Sequence, residues 1–339
     1  MTALIIERCG PGTTVQDRGR FGWQKYGLGP AGAMDVPAMA EANLLAGNAP
    51  GAAAIELALA GARLRVVGGA VRVAVSGAMA ELKIDGQVIA GHTSATARDG
   101  QRIEIGSALD GQFIYCAIAG GLALPLQLGA LATHVRAGVG GIDGRALRAG
   151  DHLELTLAAP DGEDLAATSS RKPDTGSIRV LLGPQDDHFS AEGLATFLSN
   201  AYTITPQADR MGFRLTGPKI AHGPKGYNIV SDGIATGSIQ VPGMGEPLIL
   251  LADRQTTGGY PKIATVITAD LGRLAQMRPG TGVRFQSVTR TDAIAALVAQ
   301  RADLATFRTG LRPAARLADL SSERLLGLNL VDGWTGERP

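Results

Sequence analysis

The chain has 339 residues and carries 32 Lys plus Arg against 31 Asp plus Glu, a formal charge of +1. That length holds two ordinary domains with cores of their own, and the near-even charge gives no general attraction to nucleic acid or an anionic membrane. No basic run with interleaved aromatics appears, no apolar stretch reaches membrane-spanning length, and Ala3–Ile6 is cut off by Glu7 and Arg8 before it makes a signal-peptide core. A cytoplasmic protein that binds neither nucleic acid nor membrane is the expectation. Cys9 and Cys116 stand far apart with no metal or redox spacing, and Cys116 sits in an apolar run where a small core residue belongs.

In chain order, strands outnumber helices. Asp35 can cap a helix with Pro37 in its first turn, running through Met39, Asn43 and Leu44 to Gly47. Val71–Val75 alternates as a strand. Glu81–Ile84 and Gln87–Ile89 read as a hairpin about Asp85-Gly86, a pair that favours positive φ. Arg102–Ile105 and Phe113–Ile118 flank a second turn at Asp110-Gly111, and Leu153–Leu157 alternates strictly. The block from Arg63 to Ala158 is therefore β-rich with closely spaced turns, as in a barrel or a sandwich. Pro160–Gly176 has no apolar period and reads as a linker, after which strands resume at Ile178–Leu182. Ser190 can cap a short helix through Leu194, Phe197 and Leu198. Asp292 opens the longest helix, with Ile294, Leu297, Val298, Arg301 and Leu304 at helical spacing and Gly310 beyond. The organisation expected is a β module over 1–160, a linker over 161–176, a second β module over 177–310 ending in a helix, and an extension over 311–339.

Familiar catalytic signatures are missing. There is no Gly-x-x-x-x-Gly-Lys-[Ser/Thr] phosphate loop and no Gly-x-Ser-x-Gly elbow. The histidines are scattered without His-x-x-x-His spacing, so no metal site is expected; His188, at a strand-to-helix junction, is the one worth following. The densest chemistry is Asp253–Lys262, directly after the apolar run Leu248–Leu251. It holds Arg254, Gln255, Thr256, Thr257, Gly258, Gly259, Tyr260 and Lys262. Such a loop is either a long polar turn or a ligand loop, in which consecutive amides around glycine form a concave anion site. Asp17, Arg18 and Arg20 crowd a turn near the N-terminus; they are either surface ion pairs or a forked grip on a carboxylate or phosphate. Arg210 and Arg214 would share a strand face, where two like charges call for an anion or carboxylate between them. Gln240 and Gln255 offer amides suited to reading a urea or a lactam.

Taken in order, Gly12–Arg20 with Gly27–Asp35, Asp209–Leu215, Ser231–Gly233 with Gly237–Pro242, and Asp253–Lys262 resemble the allophanate-hydrolase-subunit-2 family. That family is also described as the carboxyltransferase A/B-type domain of urea carboxylase. It includes the C-type component of three-part 5-oxoprolinase and the antagonist member of the Kip kinase-inhibitor pair. The resemblance runs from Thr13 to Phe285. It implies a mainly β chain of two cyclophilin-like β-barrel modules with a few helices.

It further implies ATP-dependent activation of 5-oxoproline, by phosphorylation of the lactam, together with a B-like partner of the allophanate hydrolase subunit 1 family. An A-like partner would then open the ring to glutamate. ATP with Mg would be shared with the partner. No biotin would be attached to this chain, since Met34 precedes Asp35 and Met79 precedes Ala80 instead of a carrier lysine. In that setting Asp17 or Asp232 is the expected base, and Lys262 neutralises developing charge. Arg18, Arg20, Arg210, Arg214 and Arg254 hold carboxylate or phosphate, while Gln240, Gln255 and Tyr260 line the substrate. Two alternatives share these motifs: a carboxyltransferase acting on urea or a related amide with a biotin-carrying partner, and a regulatory antagonist without turnover.

Overall fold

A computed structural model describes residues 2–156, 162–168 and 175–314. Residues 161 and 169–174 of the linker, Leu157, and the extension beyond Ala314 lie outside the described residues. The chain is mainly β. A six-stranded sheet runs in the order His152–Glu154, Ala3–Cys9, Ala62–Val67, Arg102–Ile105, Leu82–Ile84, Gln87–Ile89. A five-stranded sheet runs Thr14–Gln16, Ala54–Ala58, Phe113–Ile118, Ala70–Gly77, Ala95–Arg98. Alternation explains their union. Ala62, Leu64 and Val66 point inward along their strand and share one apolar core with Ile55, Val73, Ile114 and Cys116 of the other sheet. Burial pushes the Cys116 thiol up to about 12, as befits an inert core residue.

The hairpin at Asp85-Gly86 forms as read, with φ of 47° and 81° at the two turn residues. Arg102–Ile105 and Phe113–Ile118 are also strands, but they enter different sheets, so Asp110-Gly111 carries the chain between layers. Of Leu153–Leu157, only the first residues join a strand, His152–Glu154.

Four helices are described: α1 (Val36–Ala46), α2 (Ala191–Ser199), α3 (Thr268–Ala275) and α4 (Arg290–Thr309). The cap and stop of α1 are those expected: Asp35 accepts from Ala38 N–H at 3.1 Å, and Gly47 closes in the left-handed region at φ 88°. Every residue from Ala38 to Ala46 is buried. The helix is rich in alanine because it is covered on more than one side. It lies on Phe113–Ile118 and Ala70–Gly77 of the first module and touches α3 and α4 of the second. The start of α4 differs from the sequence reading. Thr289 is the cap, and Asp292 sits at the third helical position, completing a capping box. Helix α3 is not legible in the sequence, since only eight residues carry it. Its Gly272 is required: a Cβ there would stand 2.5 Å from Asp35 Oδ1, so glycine lets α3 close on the start of α1.

The second module is a closed barrel of seven strands in the order Ile178–Leu182, Lys262–Val266, Ser238–Gln240, Leu248–Leu250, Gly212–Thr216, Ala201–Asp209, Gly282–Ser287. Its interior of Val180, Phe213, Ile239, Ile249 and Phe285 is continuous with Ala42 and Leu45 of α1. The two modules thus meet across an apolar seam, and the polar groups discussed next lie along its edge.

Candidate functional site

Arg210 is the hub of that edge. It falls in the turn between Ala201–Asp209 and Gly212–Thr216, not on a strand face beside Arg214. Its Nε and Nη2 donate to Asp253 at 2.9 and 2.8 Å, Nη1 donates to Glu56 of the first module, and Nη2 also reaches Gly32 O at 2.8 Å. Glu56 in turn accepts from Tyr115 Oη at 2.7 Å and from Met34 N–H at 2.9 Å. Burial by itself would lower the Arg210 pKa, but Glu56 and Asp253 more than offset it and raise it. Burial, then Glu56 and Asp35, push the Tyr115 phenol well above its ordinary value, keeping it a donor. The expected paired-arginine face is therefore corrected. The carboxylates that answer Arg210 belong to the protein, while Arg214 is exposed and lines a separate groove with Glu246 and Pro242.

Arg254 is the opposite case. It is buried at 4% exposure. Its Nε donates to Ile234 O at 3.0 Å, and its other contacts are long: Leu251 O at 3.4 Å and Gln24 Oε1 at 3.5 Å. Among the described residues it makes no ion pair, and burial lowers its pKa to about 10. A guanidinium held only by neutral acceptors is an anion site in waiting. It lines a pocket of about 190 Å³ with Gly29, His134, Arg136, Met211 and Gln255, at the seam of the two modules.

Lys262 makes a second cluster. Its ammonium group, on a side chain 2% exposed, donates to Asp232 Oδ2 at 2.6 Å and to Gly233 O at 3.0 Å. Gln185 fixes both partners, donating to Asp232 Oδ2 and accepting from Lys262 N–H, each at 3.1 Å. The Lys262 and Gln185 bonds hold the Asp232 carboxyl below its ordinary value. A carboxylate so stabilised is a poor proton acceptor, which counts against Asp232 as a general base. The two clusters are adjacent through the backbone, since Lys262 bonds the carbonyl of Gly233 and Arg254 that of Ile234.

Other expected site residues go elsewhere. Asp17 accepts one backbone amide on each oxygen, Gly19 at 2.8 Å and Leu131 at 2.6 Å, and so shapes a loop. Arg20 is buried and donates to the carbonyls of Gln127, Ala130 and Ala132, leaving Nη1 without a partner. Its contacts hold the 127–132 loop. Arg18 is exposed, its stem resting against Gly51. Thr257 and Gly258, expected in a concave cradle with Thr256 and Gly259, pair with Asp232 and Gly233 as a short ribbon. Gly258 instead makes room for Gln240, whose buried Nε2 donates to Tyr260 O at 3.1 Å. Gln255 and Tyr260 are exposed beside Arg254 and Lys262 in the chain. His188 bonds Gly226 O at 3.0 Å.

Sequence reading misses Glu56, Gln24 and Arg136, and singles out His188 among the histidines, not His134. Gln24 Nε2 reaches across the seam to Ile234 O at 3.0 Å, a contact between residues 210 positions apart with no local pattern to announce it.

Two β modules thus meet across an apolar seam with buried cations, Arg254 and Lys262, at its polar edge. Residues 26–287 match the family described as carboxyltransferase domain, subdomain A and B, and the chain belongs to that family. It is 37% identical to the C-type component of 5-oxoprolinase from Haemophilus influenzae, covering 83% of this chain and 89% of that protein. It is 34% identical to the corresponding 5-oxoprolinase component of Escherichia coli, covering 86% and 94%. The crystal structure of the K. lactis urea amidolyase superposes with a TM-score of 0.83 at 28% identity, covering 95% of this chain but only 20% of that one.

Proposed function

We propose that this chain is the C-type component of an ATP-dependent 5-oxoprolinase, working with a B-like and an A-like partner to open 5-oxoproline to glutamate. The observation that carries this reading is coverage. The chain spans 89% and 94% of two relatives named as that component of 5-oxoprolinase, but a fifth of urea amidolyase. Size and charge at the seam agree. A pocket of about 190 Å³ has the volume of about six waters at about 30 Å³ each, enough for a small cyclic acid. Arg254 supplies a cation without an acid of its own. No group of three or more metal-ligating side chains occurs among the described residues. ATP with its Mg would be shared with the B-like partner, and no step is assigned to it on this chain.

In this reading Arg254 and Gln255 receive substrate, and the Lys262–Asp232 pair sets the local charge beside it. Arg210 positions the start of the 253–262 loop. A carboxyltransferase role toward urea is supported by the family match, by 30% identity to a urea carboxylase and a urea amidolyase over 87% and 84% of this chain, and by the structural likeness to urea amidolyase; it would require biotin on a partner. No described helix is long and apolar enough to cross a membrane.

The test is glutamate formation from 5-oxoproline and ATP by this chain with its A-like and B-like partners, omitting each in turn. Turnover that needs all three supports the proposal. Tight assembly without turnover refutes it in favour of the regulatory reading.

A further inference from the structure

The pocket beside Arg254 contains a histidine whose proton position is fixed by the fold. His134 is 7% exposed and caps a single helical turn, Val135–Ala137, where its Nδ1 accepts the Ala137 N–H at 3.3 Å. A neutral imidazole that accepts at Nδ1 must carry its hydrogen on Nε2. Nε2 lies beside Gly29, which lines the pocket with it: a Cβ built on Gly29 would stand 3.5 Å from Nε2 and 3.0 Å from Arg254 O. Around it lie Arg254, Arg136, Asp253 and Gln255. Asp253, the one acid among these lining residues, has both oxygens taken by Arg210. Arg136 is exposed, and the structure gives its guanidinium only the Met211 sulfur, a weak acceptor. The pocket therefore presents two guanidinium groups and a donor N–H, with its acid neutralised from outside.

We infer that this pocket is a carboxylate subsite, in which His134 Nε2–H, Arg254 and Arg136 converge on the carboxylate of a small acid. The inference rests on the proposed function for the identity of that acid, 5-oxoproline, and not for the subsite itself. His134 acts there as a fixed donor, not as a base, because the Ala137 amide occupies its other nitrogen. Arg254 gives the buried charge and Arg136 the solvent-side one. A carboxylate suits this set, since each of its two oxygens can accept from a guanidinium edge while one lone pair takes the imidazole N–H.

The experiment is calorimetric titration of the full chain with 5-oxoproline, its carboxamide, acetate and inorganic phosphate, repeated for His134→Asn and Arg136→Gln. Asparagine can still accept from Ala137 N–H through its side-chain oxygen, so the helical turn keeps its cap while the donor is withdrawn from the pocket. The expected result is binding of 5-oxoproline but not its carboxamide, weakened about tenfold or more by His134→Asn at an unchanged melting temperature. Arg136→Gln, on an exposed side chain, weakens the acid in the same direction and serves if His134→Asn fails to fold. Equal binding of acid and carboxamide overturns the inference. So does undiminished binding of the acid by both variants, preference for phosphate over every carboxylate, or failure to bind any carboxylate. Binding of acetate but not 5-oxoproline, lost in His134→Asn, upholds the subsite and removes 5-oxoproline as its ligand.

Discussion

Arg210 and Glu56, 154 positions apart, form a buried ion pair across the seam between the two modules. Because Arg210 also grips Asp253, the first module holds the root of the loop that carries Arg254. The polar seam is thus a structural support for the candidate site as well as its neighbour.

Glu56→Gln leaves Arg210 with Asp253 as its remaining acid and replaces the carboxylate that Tyr115 and Met34 N–H donate to, so it is expected to cost about 1–3 kcal/mol in urea unfolding. Glu104→Gln, which breaks the exposed pair with Arg63 (side chains 41% and 36% exposed), should cost about 1 kcal/mol or less. Equal costs would mean that the seam network adds nothing beyond a surface bridge.

The Lys262–Asp232 pair should respond asymmetrically. Asp232 is 52% exposed and Lys262 2%, so water can replace a partner for the acid but not for the ammonium. Asp232→Asn is expected to destabilise by about 1–3 kcal/mol, and Lys262→Met by less. The reverse order in thermal or urea unfolding would contradict this placement of charge.

Acid should weaken the fold through Asp151 and Asp270. The bond from Arg145 lowers the Asp151 carboxyl. For Asp270, burial raises it, but the bonds from Arg179 and the charge of Arg273 leave it lowered overall. A folded value below the ordinary 3.8 means that the unfolded chain takes up protons first. Their stabilisation is therefore complete above that value and is lost as pH falls below it toward the folded values. Urea midpoints measured from about pH 6 down to about pH 3 should fall at the acid end, and less steeply in Asp151→Asn. An unchanged slope in that variant would contradict the assignment.

Much of the fold is legible in the sequence because local rules agree with the tertiary result. Asp35 and Gly47 bracket α1, Asp85-Gly86 turns a hairpin, and alternation in Ala62–Val67 matches its one buried face. The site is legible only in part. The stretch Asp253–Lys262 stands out as polar and glycine-hinged, but composition cannot say which cation is already paired. Arg20 and Arg254 look alike in sequence. One is enclosed by the carbonyls of a single loop, and the other lies on a pocket, held by one carbonyl at 3.0 Å and otherwise by long contacts. Glu56 and Gln24 are invisible because their partners lie 154 and 210 positions away, across a seam that exists only once both modules have folded.

The most direct test of the account is ATP hydrolysis by this chain assembled with its B-like partner, with 5-oxoproline, with urea and with neither. The account expects 5-oxoproline alone to raise the rate, and Arg254→Met to abolish that stimulation while the two chains remain associated. Stimulation by urea instead, or full stimulation by 5-oxoproline in Arg254→Met, would contradict it.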